Sequence, residues 1–187
     1  LADMEITTGS IGDYAFYDSN GNGIQDESER PVRNLPVKLY RKESTVSGGE
    51  GEWELYAETT TDGTTGKYLF DGLTCNYRTE ESYNDASGFV AGPTNPVYYV
   101  GGAYYEHKVV FDIPEGYGAT LQYAGEDRAA DSNINAAGET EAVSLALMVD
   151  ENGEFVGENN MTLDAGYVTL VNLGDYVWMD ANKNGIQ

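Results

Sequence analysis

The chain repeats its own opening. The segment IGDYAFYDSNGNGIQ at residues 11–25 returns as LGDYVWMDANKNGIQ at residues 173–187, with nine of the fifteen positions identical. The offset is 173 − 11 = 162 residues, which is the size of a domain. We therefore predict one complete unit at residues 10–169, preceded at 1–9 by the tail of an earlier unit or a linker. Residues 170–187 are predicted to open the next unit.

The unit reads as an all-β fold. No segment has a sustained 3.6-residue apolar period, whereas short stretches rich in β-branched and aromatic residues are separated by Gly, Asn, Asp and Pro. About seven strands predict an antiparallel sandwich. The predicted strands are GDYAFYD, LPVKLYRK, EWELYAETTTD, GKYLFDGL, HKVVFDIP, AVSLALMVD and NMTLDAGYVTLVNLGD. In the third of these, alternation predicts that Trp53, Leu55 and Ala57 share one face.

A calcium-binding spacing follows the first predicted strand. Residues 18–29, DSNGNGIQDESE, place oxygen-bearing side chains at positions one, three, five, nine and twelve, with glycine at six, as in an EF-hand loop. The predicted ligands for Ca²⁺ are Asp18, Asn20, Asn22, the Ile24 carbonyl, Asp26 and Glu29. An Asn/Gly-rich turn is the alternative, but it does not account for the acids at nine and twelve. Pro31 and Pro36 argue against an exiting helix, so we expect strands on both sides of the loop.

Two other segments carry weaker versions of the same pattern. Asp131, Asn133 and Asn135 have the alternate spacing of a possible second calcium site, for which a solvated turn is the alternative. The repeated opening contains an incomplete set, because positions nine and twelve are missing. That set consists of Asp180, Asn182, Asn184 and Ile186. We expect it to bind calcium weakly or not at all.

The net charge of the chain limits the classes of partner that it can bind. Ten basic and 32 acidic residues give 10 − 32 = −22, which disfavours nucleic acid and anionic lipid and suits multivalent cations. Fifteen tyrosines, five phenylalanines and two tryptophans favour a folded chain over a disordered one. Cys75 is the only cysteine, so no internal disulfide forms and bound metal is the expected substitute. No signal peptide and no apolar run long enough to cross a membrane is evident, so we expect no membrane insertion of this segment.

The sequence offers little for catalysis. His107 is the only histidine, and neither it nor Cys75 lies in a recognisable nucleophile or base motif. We expect His107 to be a structural or surface residue and the protein not to be an enzyme.

Several stretches together resemble a known family. IGDYAFYDSNGNGIQDESE, LPVKLY, TTTDGTTGKYLFDGL, VVFDIPEGYGAT, DRAADSNIN and MTLDAGYV resemble the B-type repeat of serine-aspartate-repeat surface adhesins, within the collagen-adhesin B-like (Cna-B-type) group, over about residues 11–169. The resemblance implies an Ig-like, prealbumin-like β-sandwich with an EF-hand-like calcium loop between strands. It also implies tandem units that calcium makes rigid, acting as a stalk whose partners include the neighbouring repeats. Display outside a Gram-positive cell is implied too, with the cell-wall anchor outside this sequence.

One segment departs from that family. Residues 74–106 form a Tyr-rich insertion, and tyrosine supplies rigid amphipathic contact area. Two interpretations stay open: the insertion contacts an extracellular protein or glycan, or it forms an extra hairpin packed on the sheet. The tyrosines concerned are Tyr98, Tyr99, Tyr104 and Tyr105. Relatives also contain Lys–Asn isopeptide crosslinks, for which the formal candidates here are Lys38, Lys67, Lys108 and Asn172.

Overall fold

A computed structural model describes residues 8–45, 51–78, 97–98, 103–171, 179–181 and 183, and these residues form strands and no helix. Accordingly, this part of the chain contains no helix of the length and hydropathy that a membrane span needs. The strands are β1 (Thr8–Tyr17), β2 (Arg30–Pro31), β3 (Pro36–Thr45), β4 (Trp53–Thr60), β5 (Lys67–Thr74), β6 (Asn76–Arg78), β7 (Val97–Tyr98), β8 (Ala103–Phe111), β9 (Tyr117–Ala119), β10 (Ala146–Val149), β11 (Phe155–Gly157), β12 (Asn159–Asn160) and β13 (Ala165–Thr169).

The strands form three hydrogen-bonded sheets. The first has the order β12-β1-β13-β9, and β2 and β5 also pair with β1. The second is β4-β3-β8 and the third is β11-β10-β6-β7. Strand β1 is the organising element, because four other strands pair with it.

The core lies between the β1 sheet and the β3 sheet. Alternation along β3 turns Val37 and Leu39 inward, and both are fully buried. The Tyr68 ring of β5 meets the Phe111 ring of β8 edge-on, with 5.1 Å between centroids, and so joins the two sheets. Each fully buried aliphatic or aromatic side chain contributes about 1.5–3 kcal/mol.

The all-β prediction is confirmed, and most strand pairs are antiparallel as expected. The exceptions are β1, which runs parallel to β12 and β13, and β10, which runs parallel to β6. Parallel neighbours need a long connection. The path from β1 to β13 crosses almost the whole unit, so it supplies one.

The predicted common face of Trp53, Leu55 and Ala57 is wrong. Ala57 pairs with Leu39, whereas Leu55 pairs with Tyr40, so Tyr56 is an extra residue in β4. Such a bulge shifts the alternation by one position. Ala57 therefore packs against the core, while Leu55 is 50% exposed.

The described strands run from Thr8 to Thr169, within which the predicted unit at 10–169 falls. Residues 1–7, 79–96 and 99–102 lie outside the described part, as do most residues after 171. The unit boundaries and the extent of the 74–106 insertion therefore stay predictions.

Candidate metal site

The loop at residues 18–29 is closed by its own hairpin. Tyr17, the last residue of β1, pairs with Arg30, the first residue of β2, and Phe16 pairs with Pro31. The twelve residues between the paired ends are the twelve with EF-hand spacing. The expectation that strands flank this loop is confirmed.

Asp18 organises the first half of the loop. Its Oδ1 accepts the Gly21 and Asn22 N–H groups at 2.7 and 3.3 Å, and its Oδ2 accepts the Gly23 N–H at 2.8 Å. The Thr120 hydroxyl also donates to Oδ2, at 2.5 Å. Burial raises the pKa of the Asp18 carboxyl, but these hydrogen bonds outweigh it and hold the pKa below its ordinary value. Asp18 is therefore a carboxylate at neutral pH, although it is only 3% exposed.

Two asparagines hold the next turns of the loop by side-chain to backbone hydrogen bonds. Asn20 Oδ1 accepts the Asn22 N–H at 3.0 Å, and Asn22 Oδ1 accepts the Ile24 N–H at 2.8 Å. Their amide groups donate to Asp26 Oδ2 at 2.7 and 3.1 Å. Asn20, Asn22 and Asp26 thus converge on one point inside the loop.

Gly23 and Ile24 fix the middle of the loop against the rest of the protein. Gly23 has φ +78°, and a Cβ there would lie 2.6 Å from the Leu121 carbonyl oxygen, so only glycine fits. Ile24 forms an antiparallel bridge with Asp131, flanked by the hydrogen bonds Ser132 N–H to Gly23 O and Gln25 N–H to Ala130 O. In a pair bonded this way the carbonyl of Ile24 points away from the partner strand, which leaves it available as a ligand.

Glu29 ties the two ends of the loop together. Its Oε1 accepts the Ser19 N–H at 2.7 Å and the Ser19 hydroxyl at 3.2 Å, and its Oε2 accepts the Asp26 N–H at 3.3 Å. Glu29 is 9% exposed. Both of its carboxylate oxygens therefore face the loop rather than solvent.

The oxygen atoms of the loop fit the ligand shell of a hard divalent cation in type and number. Among the described residues, however, no three or more His, Cys, Asp or Glu side chains already stand in the geometry of a metal site. The carboxylates instead hold N–H groups of the loop. Calcium binding here thus requires Asp26 and Glu29 to exchange N–H donors for an ion.

The second predicted site has a different arrangement. Asp131 Oδ2 accepts Arg128 Nη1 at 2.7 Å, whereas Asn133 Oδ1 accepts the Asp164 N–H at 2.6 Å. Asn135 is exposed, and its Oδ1 caps a turn by accepting the Ala137 and Glu139 N–H groups. The three predicted ligand oxygens therefore each serve a different local structure.

Asp164 is a candidate that the spacing argument missed. It is fully buried, and its Oδ1 accepts the Tyr14 N–H at 3.1 Å. Its Oδ2 and Asp131 Oδ1 have no hydrogen-bond partner among the described residues. Burial, reinforced by the nearby Asp13 charge, raises the pKa of Asp164 to about 9. The signal in the sequence was an acid inside the apolar stretch MTLDAGYV.

The incomplete third set lies mostly outside the described residues. Asn182, Asn184 and Ile186 are not among the described residues, whereas Asp180 is described and half-buried. The prediction of weak or absent binding there stays untested.

The tyrosines of the insertion also lie partly inside and partly outside the described residues. Tyr105 lies in β8, with its ring 4.8 Å from the Arg41 guanidinium carbon, and its backbone N–H and carbonyl bond the Asn76 side chain at 3.0 and 2.8 Å. Tyr98 and Tyr104 contribute backbone to β7 and β8, and Tyr99 lies outside the described residues. Strand β7 pairs with β6, whereas β8 pairs with β3. In the described part, these two strands thus belong to different sheets and do not pair as one hairpin.

Neither Cys75 nor His107 adjoins a catalytic partner in the described part of the chain. Cys75 is buried, with its thiol 3.8 Å from the Leu73 carbonyl, and burial raises the pKa of that thiol. His107 is 1% exposed, and burial lowers its pKa to about 4, so it is neutral at physiological pH. His107 is therefore a buried residue of the sheet rather than a surface one.

The structure describes the three lysines that are candidates for a crosslink. Lys108 forms an ion pair with Glu139 at 3.4 Å, and Lys67 is exposed. Lys38 is half-buried, and Asn172 lies outside the described residues. The crosslink stays a prediction from the family resemblance.

The family resemblance is confirmed by comparison with known proteins. Residues 9–96 match the family described as SdrD B-like domain. Over 179 residues, which are 95% of its length, the chain is 31% identical to Serine-aspartate repeat-containing protein F of Staphylococcus epidermidis (strain ATCC 12228 / FDA PCI 1200). It is 32% identical over 180 residues to Serine-aspartate repeat-containing protein D of Staphylococcus aureus (strain Newman), again covering 95% of the chain. Over 184 residues, 96% of the chain, it is 29% identical to Fibrinogen-binding protein of Staphylococcus epidermidis.

The chain spans only 8%, 10% and 12% of the lengths of these three relatives, respectively. What the whole relatives do is therefore not established for this segment. Residues 9–96 carry an SdrD B-like domain, in a chain that is similar to serine-aspartate repeat proteins along 95% of its length.

Proposed function

We propose that this unit is a calcium-stiffened stalk repeat of an adhesin displayed outside a Gram-positive cell. The observation that supports the proposal is the closed loop at residues 18–29, in which side-chain oxygens of Asp18, Asn20 and Asn22 accept backbone N–H groups of the loop. The similarity to serine-aspartate repeat proteins supports the tandem, surface-displayed role.

The stiffening follows from linkage between binding and folding. An ion that binds only the folded loop adds RT ln(1 + [L]/Kd), about 2.7 kcal/mol at a hundredfold excess over Kd. Because Ile24 bridges to Asp131 and Thr120 bonds Asp18, the ion also ties distant segments of the unit to β1. A second ion at Asp131, Asn133 and Asn135 is the weaker part of the proposal, since their oxygens serve separate structures.

The test is a metal count together with thermal unfolding in calcium and in EDTA. We expect at least one bound calcium and a Tm about 5–10 °C higher with calcium, from about 2–4 °C per kcal/mol for a chain of this size. Glu29→Gln removes a charged ligand and should abolish most of that gain. Asp62→Asn is the matched control, since Asp62 is an exposed turn acid outside the loop that likewise accepts backbone N–H groups.

A calcium-independent Tm with no bound metal would overturn the calcium role. Equal calcium gains for Glu29→Gln and Asp62→Asn would show that the ion binds elsewhere.

A second candidate function is recognition of an extracellular protein or glycan through the Tyr-rich insertion. It is favoured by the relative named Fibrinogen-binding protein, although this chain spans only 12% of that protein. Tyr98→Ala and Tyr99→Ala should then reduce retention on immobilised fibrinogen while leaving Tm unchanged. Tyr105→Ala is the contrasting variant, because Tyr105 packs against Arg41 and should lower Tm.

A further inference from the structure

Asn–Gly pairs are places in a chain where a side-chain amide can react with its own backbone. The described part contains three of them, Asn20–Gly21 and Asn22–Gly23 in the loop at residues 18–29, and Asn152–Gly153 in the turn between β10 and β11. Because glycine has no Cβ, its backbone nitrogen is open to approach by the preceding side chain. The calcium role proposed above makes no use of this chemistry.

The reaction converts the asparagine into an acid without an enzyme. The glycine nitrogen attacks Cγ of the asparagine, so that a new N–Cγ bond closes a succinimide ring. The Cγ–Nδ2 bond breaks, and ammonia leaves with the proton of the glycine N–H. Water then opens the ring. Breaking the new N–Cγ bond yields aspartate, whereas breaking the original backbone C–N bond yields isoaspartate, which lengthens the main chain by a methylene group.

Packing separates the two Asn–Gly pairs of the loop. Asn20 and Gly21 are exposed, and a Cβ at Gly21 would have open space around it. Gly23 is buried, and a Cβ there would lie 2.6 Å from the Leu121 carbonyl oxygen. Since closing the ring requires the backbone to rotate, the folded loop permits the reaction at Asn20 and blocks it at Asn22.

The side chain of Asn20 is held by hydrogen bonds that water can replace. Its Nδ2 donates to Asp26 Oδ2 at 2.7 Å and its Oδ1 accepts the Asn22 N–H at 3.0 Å, and both hydrogen bonds are exposed. Asn22 makes the equivalent bonds to Asp26 and Ile24 in partly buried positions. Asn20 therefore leaves its place in the loop more easily than Asn22 does.

A carboxylate lies beside the nitrogen that would attack Asn20. The Gly21 N–H donates to Asp18 Oδ1 at 2.7 Å, so Asp18 can take up the proton and pass it to the leaving ammonia. The Gly153 N–H instead donates to the Asp150 carbonyl at 3.0 Å, and a carbonyl oxygen is a far weaker base. Of the three described pairs, Asn20–Gly21 thus combines an open backbone with a carboxylate acceptor.

We propose that Asn20 deamidates spontaneously in the folded protein and that the product changes the calcium affinity of the loop. The inference rests on the proposed function for its effect on calcium, but not for the reaction itself. Asn20 is at the third position of the loop, where EF-hand loops accept aspartate as well as asparagine, and added ligand charge tightens such sites. Without an ion, the new carboxylate would face Asp26 Oδ2 in place of a hydrogen-bond donor. Isoaspartate lengthens the chain between the ligands and weakens the site.

Timed incubation of the whole chain tests the reaction. Samples kept in EDTA at mildly alkaline pH are digested, and tandem mass spectrometry with isoaspartate methyltransferase labelling assigns the conversion to each asparagine. We expect Asn20 to convert first, Asn152 more slowly and Asn22 least, whereas in urea Asn20 and Asn22 should convert alike. Gly21→Ala should slow the conversion of Asn20 and leave that of Asn152 unchanged. Conversion of Asn22 as fast as Asn20 in the folded chain, or of Asn152 ahead of Asn20, would overturn the proposal.

Calcium titration tests the consequence of the reaction. Asn20→Asp reproduces the aspartate product and should bind calcium several-fold more tightly than the parent chain. Asn152→Asp is the matched control, because it makes the same change in an exposed Asn–Gly pair outside the loop and should not alter the affinity. Equal calcium affinities of the two variants would overturn the effect on calcium. Conversion of Asn20 in a chain that binds no calcium in either form would instead overturn the proposed function and leave the reaction standing.

Discussion

Two aspartates at the ends of adjacent strands have different charge states although both are buried. Asp18 follows β1 and is 3% exposed, while Asp164 precedes β13 and is fully buried. Asp18 accepts three backbone N–H groups and a hydroxyl. Asp164 accepts one N–H, from Tyr14, and its second oxygen has no partner in the described chain.

The consequence is a difference in charge. Hydrogen bonds overcome burial at Asp18, and its pKa falls below the ordinary value. At Asp164 burial dominates and the pKa rises to about 9, so at neutral pH this carboxyl is protonated. The balance between burial and the hydrogen-bond donors aimed at an acid decides whether it is a carboxylate that can hold a cation.

The largest expected effect concerns Asp164 and pH. Because its pKa is about 9 in the folded chain and near 3.8 when unfolded, the folded chain binds more protons between these values. Its contribution to stability is complete below the unfolded value and is lost as pH rises through about 9. The slope reaches at most about 1.4 kcal/mol per pH unit. Asp164→Asn should flatten that decline in urea unfolding between pH 5 and pH 8 in EDTA.

Asp71→Asn serves as the control for this pH dependence, because it makes the same Asp-to-Asn change at an exposed position of β5. Parallel declines for the parent chain and Asp164→Asn would show that Asp164 is not protonated in the folded protein, and the comparison with Asp18 would collapse.

The next largest effect is expected for Asp18→Ala. Four donors then lose their acceptor in a buried place, at a cost of roughly 3 kcal/mol or more in the free energy of unfolding, even in EDTA. Asp62→Ala removes an acid that also accepts backbone N–H groups, but its turn is exposed and water can replace it. Denaturant unfolding of both variants separates the two cases, and equal losses would contradict the role of burial.

Two glycines of the loop sharpen the comparison further. Gly21 and Gly23 both have positive φ, of 72° and 78°, but a Cβ has open space at Gly21 and meets the Leu121 carbonyl at Gly23. We expect Gly21→Ala to cost about 1 kcal/mol and Gly23→Ala about 2–3 kcal/mol. Calcium titration should show the larger loss of affinity for Gly23→Ala. Similar losses in both variants would mean that backbone conformation, and not the contact with Leu121, is limiting.

The smallest effect is expected for Thr120→Val, which keeps the shape but removes the hydroxyl that bonds Asp18 Oδ2. The loss of stability should be about 1 kcal/mol. Carboxyl NMR titration should show the Asp18 pKa rising toward its ordinary value, with the loop backbone unchanged. An unmoved pKa would assign the charge of Asp18 to the backbone donors alone.

The local part of this protein was predictable from its sequence. The turns of the twelve-residue loop follow from hydrogen bonds between residues two to ten positions apart, and the flanking strands pair directly beside the loop. Such contacts depend on residue order alone. The repeat at 162 residues and the all-β pattern were readable for the same reason, since they require only the comparison of short stretches.

The tertiary structure alone decided the rest. The Tyr14–Asp164 bond joins residues 150 positions apart, and the Ile24–Asp131 bridge likewise brings distant segments together. The bulge at Tyr56 reversed a face that alternation had assigned, and β13 came to lie parallel to β1. Spacing within a segment cannot encode these features, because they depend on which strands pair across the unit. The same pairing decides how deeply a carboxyl group is buried, and burial then changes its charge.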